Sequence, residues 1–283
     1  MGSSDPFFML YNNHINARRP LTLTLRPHQQ RALDALLTAS IGRVTIPTGG
    51  GKTLVMIEDV KRRLIAAETA QTVVIVAPRI LLAVQLYEEF WSALNGTVDA
   101  ATMHVHSGEV DCTSTTKIQQ IQCHAGVCAA AGVHQLIFTT YNSLRRINEA
   151  GIDVDYIYYD EAHNSVRRDF FKEVAIASLT AKNAYYFTAT PKYRGGVISM
   201  NNTDVYGSEL ISVPAPELIN NGSIIPPTIL PHVVDLERNK NLAAAENDRE
   251  VLVDIISKLE DDAAQKILVA APNTRVLWAL LSG

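Results

Sequence analysis

Cysteine is nearly absent from this chain of 283 residues: there are three, at 112, 123 and 128. Three thiols cannot close a set of disulfides, so a stapled secreted scaffold is excluded and a reducing, cytoplasmic compartment is expected. Cys112, Cys123, His124 and Cys128 place four potential zinc ligands within seventeen residues. Neither a C-x-x-C pair nor an H-x-x-x-H pair is among them, and the preferred reading of Cys123 and Cys128 is as small residues on a helix. No window approaches the ~18 uncharged apolar residues of a membrane span. Met1 to Tyr11 lacks the basic start and long apolar stretch of a secretory leader, so no membrane partner is expected. Internal repeats and low-complexity runs are missing as well, which excludes solenoids and fibrous arrays.

The length allows one or two domains. The net charge of −4 is unevenly placed, residues 1–64 holding nine Lys/Arg against four Asp/Glu. An acidic total therefore leaves room for a local basic face. Lys61-Arg62-Arg63 reads equally well as part of such a face and as solvated charge on a helix.

The most informative stretch is Ile46-Pro47-Thr48-Gly49-Gly50-Gly51-Lys52-Thr53. It lies between a β-branched run, Val44 to Ile46, and a helical pattern with Leu54, Ile57, Val60 and Leu64 at spacings of three and four. Consecutive glycines let backbone N–H groups turn inward on a polyphosphate, and the helix N-terminus adds the positive end of its dipole. Lys52 can reach the β/γ oxygens and Thr53 can hold Mg²⁺. Ile46 stands where the usual pattern has its first glycine.

Asp160-Glu161-Ala162-His163 follows the apolar run Tyr156 to Tyr159 directly. Carboxylates at the C-terminal end of a buried parallel strand stand where open α/β sheets collect ligand chemistry. Asp160 is the expected Mg²⁺ ligand beside Thr53, and Glu161 the general base that orients and deprotonates a water. Thr188-Ala189-Thr190-Pro191 again follows an apolar strand, Tyr185 to Phe187; its two hydroxyls can bond the acidic segment and report the γ-phosphate state elsewhere.

Val44–Ile46, Val73–Ala77, Gln135–Thr139, Tyr156–Tyr159 and Tyr185–Thr188 read as strands alternating with helices, which predicts an α/β fold, a mostly parallel sheet covered on both faces. Ile80, Val84, Tyr87, Trp91 and Leu94 read as a core-packed helical stripe. Pro214 to Pro231, with Asn220-Asn221-Gly222 and Pro226-Pro227, reads as a departure from the compact unit. Residues 99–130 read as an insertion.

In chain order these segments resemble superfamily 2 helicases and translocases. The matching residues are Arg26-Pro27-His28-Gln29, Pro47 to Thr53, Ala77-Pro78-Arg79, Thr139-Thr140-Tyr141-Asn142-Ser143, Asp160 to His163 and Thr188 to Pro191. The combination is most similar to the DNA-directed branch with phage helicases, restriction-enzyme motors and excision-repair helicases. The resemblance implies a RecA-like P-loop motor domain over 21–210. There Arg26 and Gln29 hold the adenine side of ATP, Pro47, Thr48, Gly49, Gly50, Gly51, Lys52 and Thr53 its phosphates, and Lys52, Asp160 and Glu161 run Mg²⁺-dependent hydrolysis. It implies coupling through His163, Thr188 and Thr190, and contact with a nucleic-acid backbone, DNA more than RNA, through Pro78, Arg79, Thr139, Thr140 and Tyr141. Arg145 and Arg146 add positive charge nearby.

The family has a second RecA-like domain carrying arginine fingers. Here residues 1–20 read as an N-terminal extension, partly an expression leader, 211–245 as a crossover linker, and 246–283 as the start of a truncated second domain. Fingers contribute roughly 10³ to 10⁵ in rate, so hydrolysis by this chain alone is expected to be slow. The readings left open are an ATP-dependent helicase or translocase, a nucleotide-gated binding module without turnover, and an RNA helicase. A P-loop kinase or GTPase would need a small-substrate pocket or an Asn-Lys-x-Asp, and neither is seen.

Overall fold

The computed structural model describes residues 24–108 and 114–226, together with Glu250, Val251 and Val253, which are helical. The chain divides into two units at Ile225 and Pro226. The expected extension over 1–20, and nearly all of the expected linker beyond 226 and second domain over 246–283, lie outside the described residues.

Eight strands pair in parallel in the order β4-β3-β5-β2-β6-β7-β1-β8. They are β1 Ile41–Thr45, β2 Thr72–Ala77, β3 Ala100–Val105, β4 Ser114–Thr115, β5 His134–Thr140, β6 Tyr156–Tyr159, β7 Asn183–Thr188 and β8 Ser208–Ser212. The helices are α1 Pro27–Ala35, α2 Lys52–Ala66, α3 Ile80–Leu94, α4 Ile118–Ala131, α5 Leu144–Ala150, α6 Arg168–Thr180, α7 Thr203–Tyr206 and α8 Ala215–Asn220. Because the central strands are covered on both sides, they are continuous β-branched or aromatic runs with no polar alternation. Val73, Ile75, Phe138, Tyr158 and Phe187 meet Leu36, Met56, Val60 and Phe90 on one face of the sheet. Val74, Val76, Ile137, Tyr159 and Tyr186 meet Leu144, Val174 and Tyr206 on the other.

Parallel pairing brings every strand's C-terminal end to one edge, so the glycine loop after β1, Pro78-Arg79 after β2, Asp160-Glu161 after β6 and Thr190 after β7 emerge together. This is where open α/β sheets bind ligands.

The structure departs from the sequence reading in four places. The described parts of 99–130 form no separate insertion: β3 and β4 extend the sheet beyond β5, and α4 leads back into β5. Strand β3 escapes notice because Ala100, Ala101 and Thr102 are only half-buried and its apolar run is broken by a buried His104. On α3 the buried stripe is Ala83, Leu86, Phe90 and Leu94, so the face toward the sheet lies one position round from Ile80, Val84 and Trp91. Val213 and Leu218 belong to the core, so the compact unit runs through α8 to Ile225 instead of closing at 210. Finally, Arg62 and Arg63 are neither a solvated face nor a free basic patch. Both bind the fully buried Asp59, at 2.6 and 2.8 Å, and Asp59 also accepts from the Tyr158 hydroxyl at 2.6 Å. A buried carboxylate needs such partners, which makes the trio structural.

Candidate nucleotide site and strand-end edge

Ile46 continues the strand by donating its N–H to the Thr188 carbonyl at 3.1 Å, and its side chain is fully buried. A β-carbon at Gly50 would lie 2.5 Å from Ile46 Cγ2, so Ile46 fills the underside of the loop where the familiar pattern has glycine. Gly49 and Gly51 have φ of 80° and 83°, a left-handed backbone that side chains disfavour. At Gly51 a β-carbon would also stand 2.3 Å from Gln29 Nε2. Among the described residues the N–H groups of Gly51, Lys52 and Thr53 take no backbone partner. With the start of α2 they form a cradle of free donors at a helix N-terminus, which suits an anion.

Lys52 is 9% exposed, and its ammonium reaches across β7 to the Glu161 carboxylate at 3.6 Å. Glu161 is the one non-glycine among the described residues with positive φ, 45°. Its other oxygen lies 3.3 Å from His163 Nδ1, which is 3.1 Å from Thr188 Oγ1. Thr188 Oγ1 accepts the Thr190 N–H at 3.2 Å. The chain Lys52, Glu161, His163, Thr188, Thr190 therefore runs unbroken along the edge, through the coupling residues expected from sequence. Burial holds His163 below its usual range, against the upward pull of Glu161.

Asp160 is pushed up to about 6, first by burial and then by the neighbouring Glu161 charge, with Lys52 among the opposing influences. Its carboxylate and the Thr53 hydroxyl are hard oxygen donors of the kind Mg²⁺ takes. Because the folded state binds the Asp160 proton more tightly than the ordinary 3.8 allows, ionisation destabilises the fold as pH rises through the 3.8 to 6 window. Asp160→Asn removes that cost. Without metal, the variant is expected to be more stable than the wild type by about 1–3 kcal/mol at pH 7.5, at about 1.4 kcal/mol for each tenfold change in proton affinity. The difference should vanish near pH 4. Paired thermal melts check this, and equal melting at both pH values would refute it.

Gln29 is 4% exposed; its Oε1 accepts the Arg26 N–H at 2.9 Å and its Nε2 donates to the Gly50 carbonyl at 3.1 Å. Here it braces the loop and does not present an open amide edge to a base. His28 Nε2 lies 2.9 Å from the same carbonyl, a brace that the sequence reading passed over inside Arg-Pro-His-Gln. Arg26 caps toward Ser223 at 3.2 Å.

The residues assigned to backbone phosphates need correction. Thr139, Thr140 and Tyr141 are 0%, 3% and 1% exposed. Their hydroxyls bond inward, to Val105 O at 2.8 Å, Ser143 Oγ at 3.3 Å and Asp160 O at 2.9 Å. They close β5 and the turn after it, where a parallel sheet is buried on both faces. Arg145 and Arg146 are paired with Glu149. Pro78 is half-buried, while Arg79 is exposed and its side chain makes no ion pair or hydrogen bond among the described residues. Exposed at the same edge are Asn142, which lies inside the segment read as a phosphate contact, and Arg168, Lys192 and Arg194, which the sequence reading did not assign. Asn142, Lys192 and Arg194 lie in the loops after β5 and β7, and Arg168 opens α6.

Fold and edge together are those of a RecA-like α/β domain. Residues 22–193 match the model of the family described as "Type III restriction enzyme, res subunit", and the chain belongs to that family. Similar solved structures include a nuclease-deletion mutant of the Type ISP restriction-modification enzyme LlaGI in complex with a DNA substrate mimic. That match has 21% identity and TM-score 0.62, over 85% of this chain and 23% of that one. The ATP-dependent Type ISP restriction-modification enzyme LlaBIII bound to DNA matches at 18% identity and TM-score 0.59, over 72% and 16%. The Pyrococcus furiosus Hef helicase domain matches at 20% and 0.50, over 90% and 51%. The chain thus spans about a quarter or less of the two restriction-modification enzymes, and at these identities the likeness concerns the fold. No curated protein sequence matches the chain.

Proposed function

We propose that this domain binds ATP with Mg²⁺ at the glycine cradle, hydrolyses it, and carries a DNA backbone on the same edge as the motor part of a helicase or translocase. The observation that carries the reading is Lys52 meeting Glu161 across β7, with Asp160 alongside: a cation, a base and a metal-ligating carboxylate converge from two separate strand ends. The free N–H groups of Gly51, Lys52 and Thr53 would cradle the phosphates, and Lys52 would exchange Glu161 for a phosphate oxygen. Thr53 and Asp160 would hold Mg²⁺, which supplies charge neutralisation of the transferring phosphoryl group. Released from Lys52, Glu161 is placed to accept a proton from the attacking water. His163 and Thr188 then link that carboxylate to Thr190 at the outer surface.

DNA as the polymer is supported by the two relatives solved with DNA or a DNA mimic, and by the exposed cations Arg79, Arg168, Lys192 and Arg194 on the edge, whose side chains make no ion pair among the described residues. Contacts of this kind recognise phosphate and carry little sequence information. Single-turnover hydrolysis should rise when single-stranded DNA is added. Arg79→Ala should weaken DNA binding at every sequence and lower the slope of log affinity against log salt by about one. ATP-dependent DNA binding without any turnover would favour a nucleotide-gated module instead, and tighter binding to RNA at matched salt would overturn the choice of polymer.

A further inference from the structure

Tyr141 was expected to touch nucleic acid, and it is buried instead, which leaves its hydroxyl to be explained. That hydroxyl donates to the main-chain carbonyl of Asp160 at 2.9 Å. The strands that carry the two residues are not neighbours: β2 lies between β5 and β6. Asp160 still offers its own N–H to the ladder, to Val76 O at 2.9 Å, but its carbonyl has left the ladder and is held by Tyr141. This carbonyl belongs to the peptide plane that leads into Glu161, whose φ of 45° is the single left-handed non-glycine torsion among the described residues. A backbone in that region costs roughly 1–3 kcal/mol and persists only where its surroundings hold it. Fixing the plane on one side of the torsion is a direct way to hold it.

On its other side Tyr141 is tied to the outer edge. Its N–H donates to Ala77 O at 3.2 Å, one residue before Pro78-Arg79, and the residue after it is the exposed Asn142. The ring is fixed by stacking on Tyr159 at 6.1 Å and on Phe170 at 5.5 Å. A buried, rigid side chain therefore joins the segment that faces a polymer to the peptide that aims the proposed base.

We infer that Tyr141 is a positioning residue that holds the Asp160–Glu161 peptide in its left-handed turn and transmits polymer contact at Arg79 and Asn142 to Glu161. The inference rests on the proposed function of the site, since it assigns a consequence to Glu161 as base. Tyr141→Phe keeps both ring stackings and deletes only the hydroxyl. The variant should melt within a few degrees of the wild type and bind a nonhydrolysable ATP analogue and single-stranded DNA within twofold of it. Its DNA-stimulated single-turnover rate should fall about three- to tenfold, the size of one lost hydrogen bond expressed in rate. Phe170→Leu, which loosens the stacking and keeps the hydroxyl, should lower the melting temperature and leave the rate within twofold.

An unchanged rate in Tyr141→Phe, beside a wild type that turns over, overturns the inference and leaves the site reading intact. A wild type that binds no nucleotide sinks both. A readout independent of turnover is a crystal structure of Tyr141→Phe: relaxation of Glu161 to negative φ supports the inference. Retention of its left-handed turn and of its contact with Lys52 overturns it.

Discussion

Lys52→Ala is expected to remove nucleotide binding and, with it, every nucleotide-dependent property of the chain. Lys52 is nearly buried and its only ion pair among the described residues is with Glu161, a partner that a triphosphate would replace. A charge-assisted hydrogen bond contributes about 1.5–3 kcal/mol, which is about 10- to 100-fold in dissociation constant for a fluorescent ATP analogue. Hydrolysis should fall further, because the same ammonium would face charge that grows during phosphoryl transfer. The substitution also strips Glu161 and Asp160 of their nearest cation, so the proton affinity of Asp160 should rise further above its ordinary range. Affinity within twofold of the wild type would remove the loop as the nucleotide site.

The second large effect separates chemistry from binding. Glu161→Gln keeps the side-chain volume and its reach toward Lys52 and His163, but can no longer take a proton. General-base catalysis contributes typically 10² to 10⁴ in rate, so single-turnover hydrolysis should fall by at least about a hundredfold. Analogue affinity should hold or tighten, since Lys52 loses a competing carboxylate. Neutralising Glu161 also removes the second-largest influence that raises Asp160, so metal-dependent binding should persist to lower pH than in the wild type. A variant that hydrolyses at the wild-type rate would show that the base is elsewhere. One that loses binding and rate together would place Glu161 in ground-state contact instead.

The parts that sequence made legible are those where one residue type has one physical use at one place in the chain. Three glycines before Lys-Thr at the end of a β-branched run announce a loop that must bend left-handed and stay close to a ligand, and the structure bends it at Gly49 and Gly51. Asp160-Glu161 after four apolar residues announces a strand end, and β6 ends there. The five strongest runs became β1, β2, β5, β6 and β7 for the same reason: continuous β-branched and aromatic residues belong to strands buried on both faces. Strand β3 was hidden because its partly exposed start and buried histidine copy the signature of a loop.

Which side of a strand end faces solvent was a different kind of question. The segment Thr139-Thr140-Tyr141 has hydroxyls suited to phosphate, and the sheet turns all three inward, leaving Asn142 and Arg79 outside. Arg62 and Arg63 have the charge for a nucleic-acid face, and a buried Asp59 claims both. Gln29 has the amide to read a base, and the Gly50 carbonyl occupies it. In each case the chemistry was visible in the residue, but the burial that commits it to an internal partner comes from packing of the whole sheet.

By itself the sequence determined the α/β class, the glycine loop, the acidic pair and their order, because these follow from local backbone freedom, strand burial and residue chemistry. Only the tertiary structure decided that Lys52 meets Glu161 across an intervening strand, that His163 and Thr188 complete the line to the surface, and that Tyr141 holds the peptide before the base. Those pairings depend on the order of strands in the sheet, and strand order is fixed by crossovers and packing summed over the whole core, which no short stretch of residues encodes.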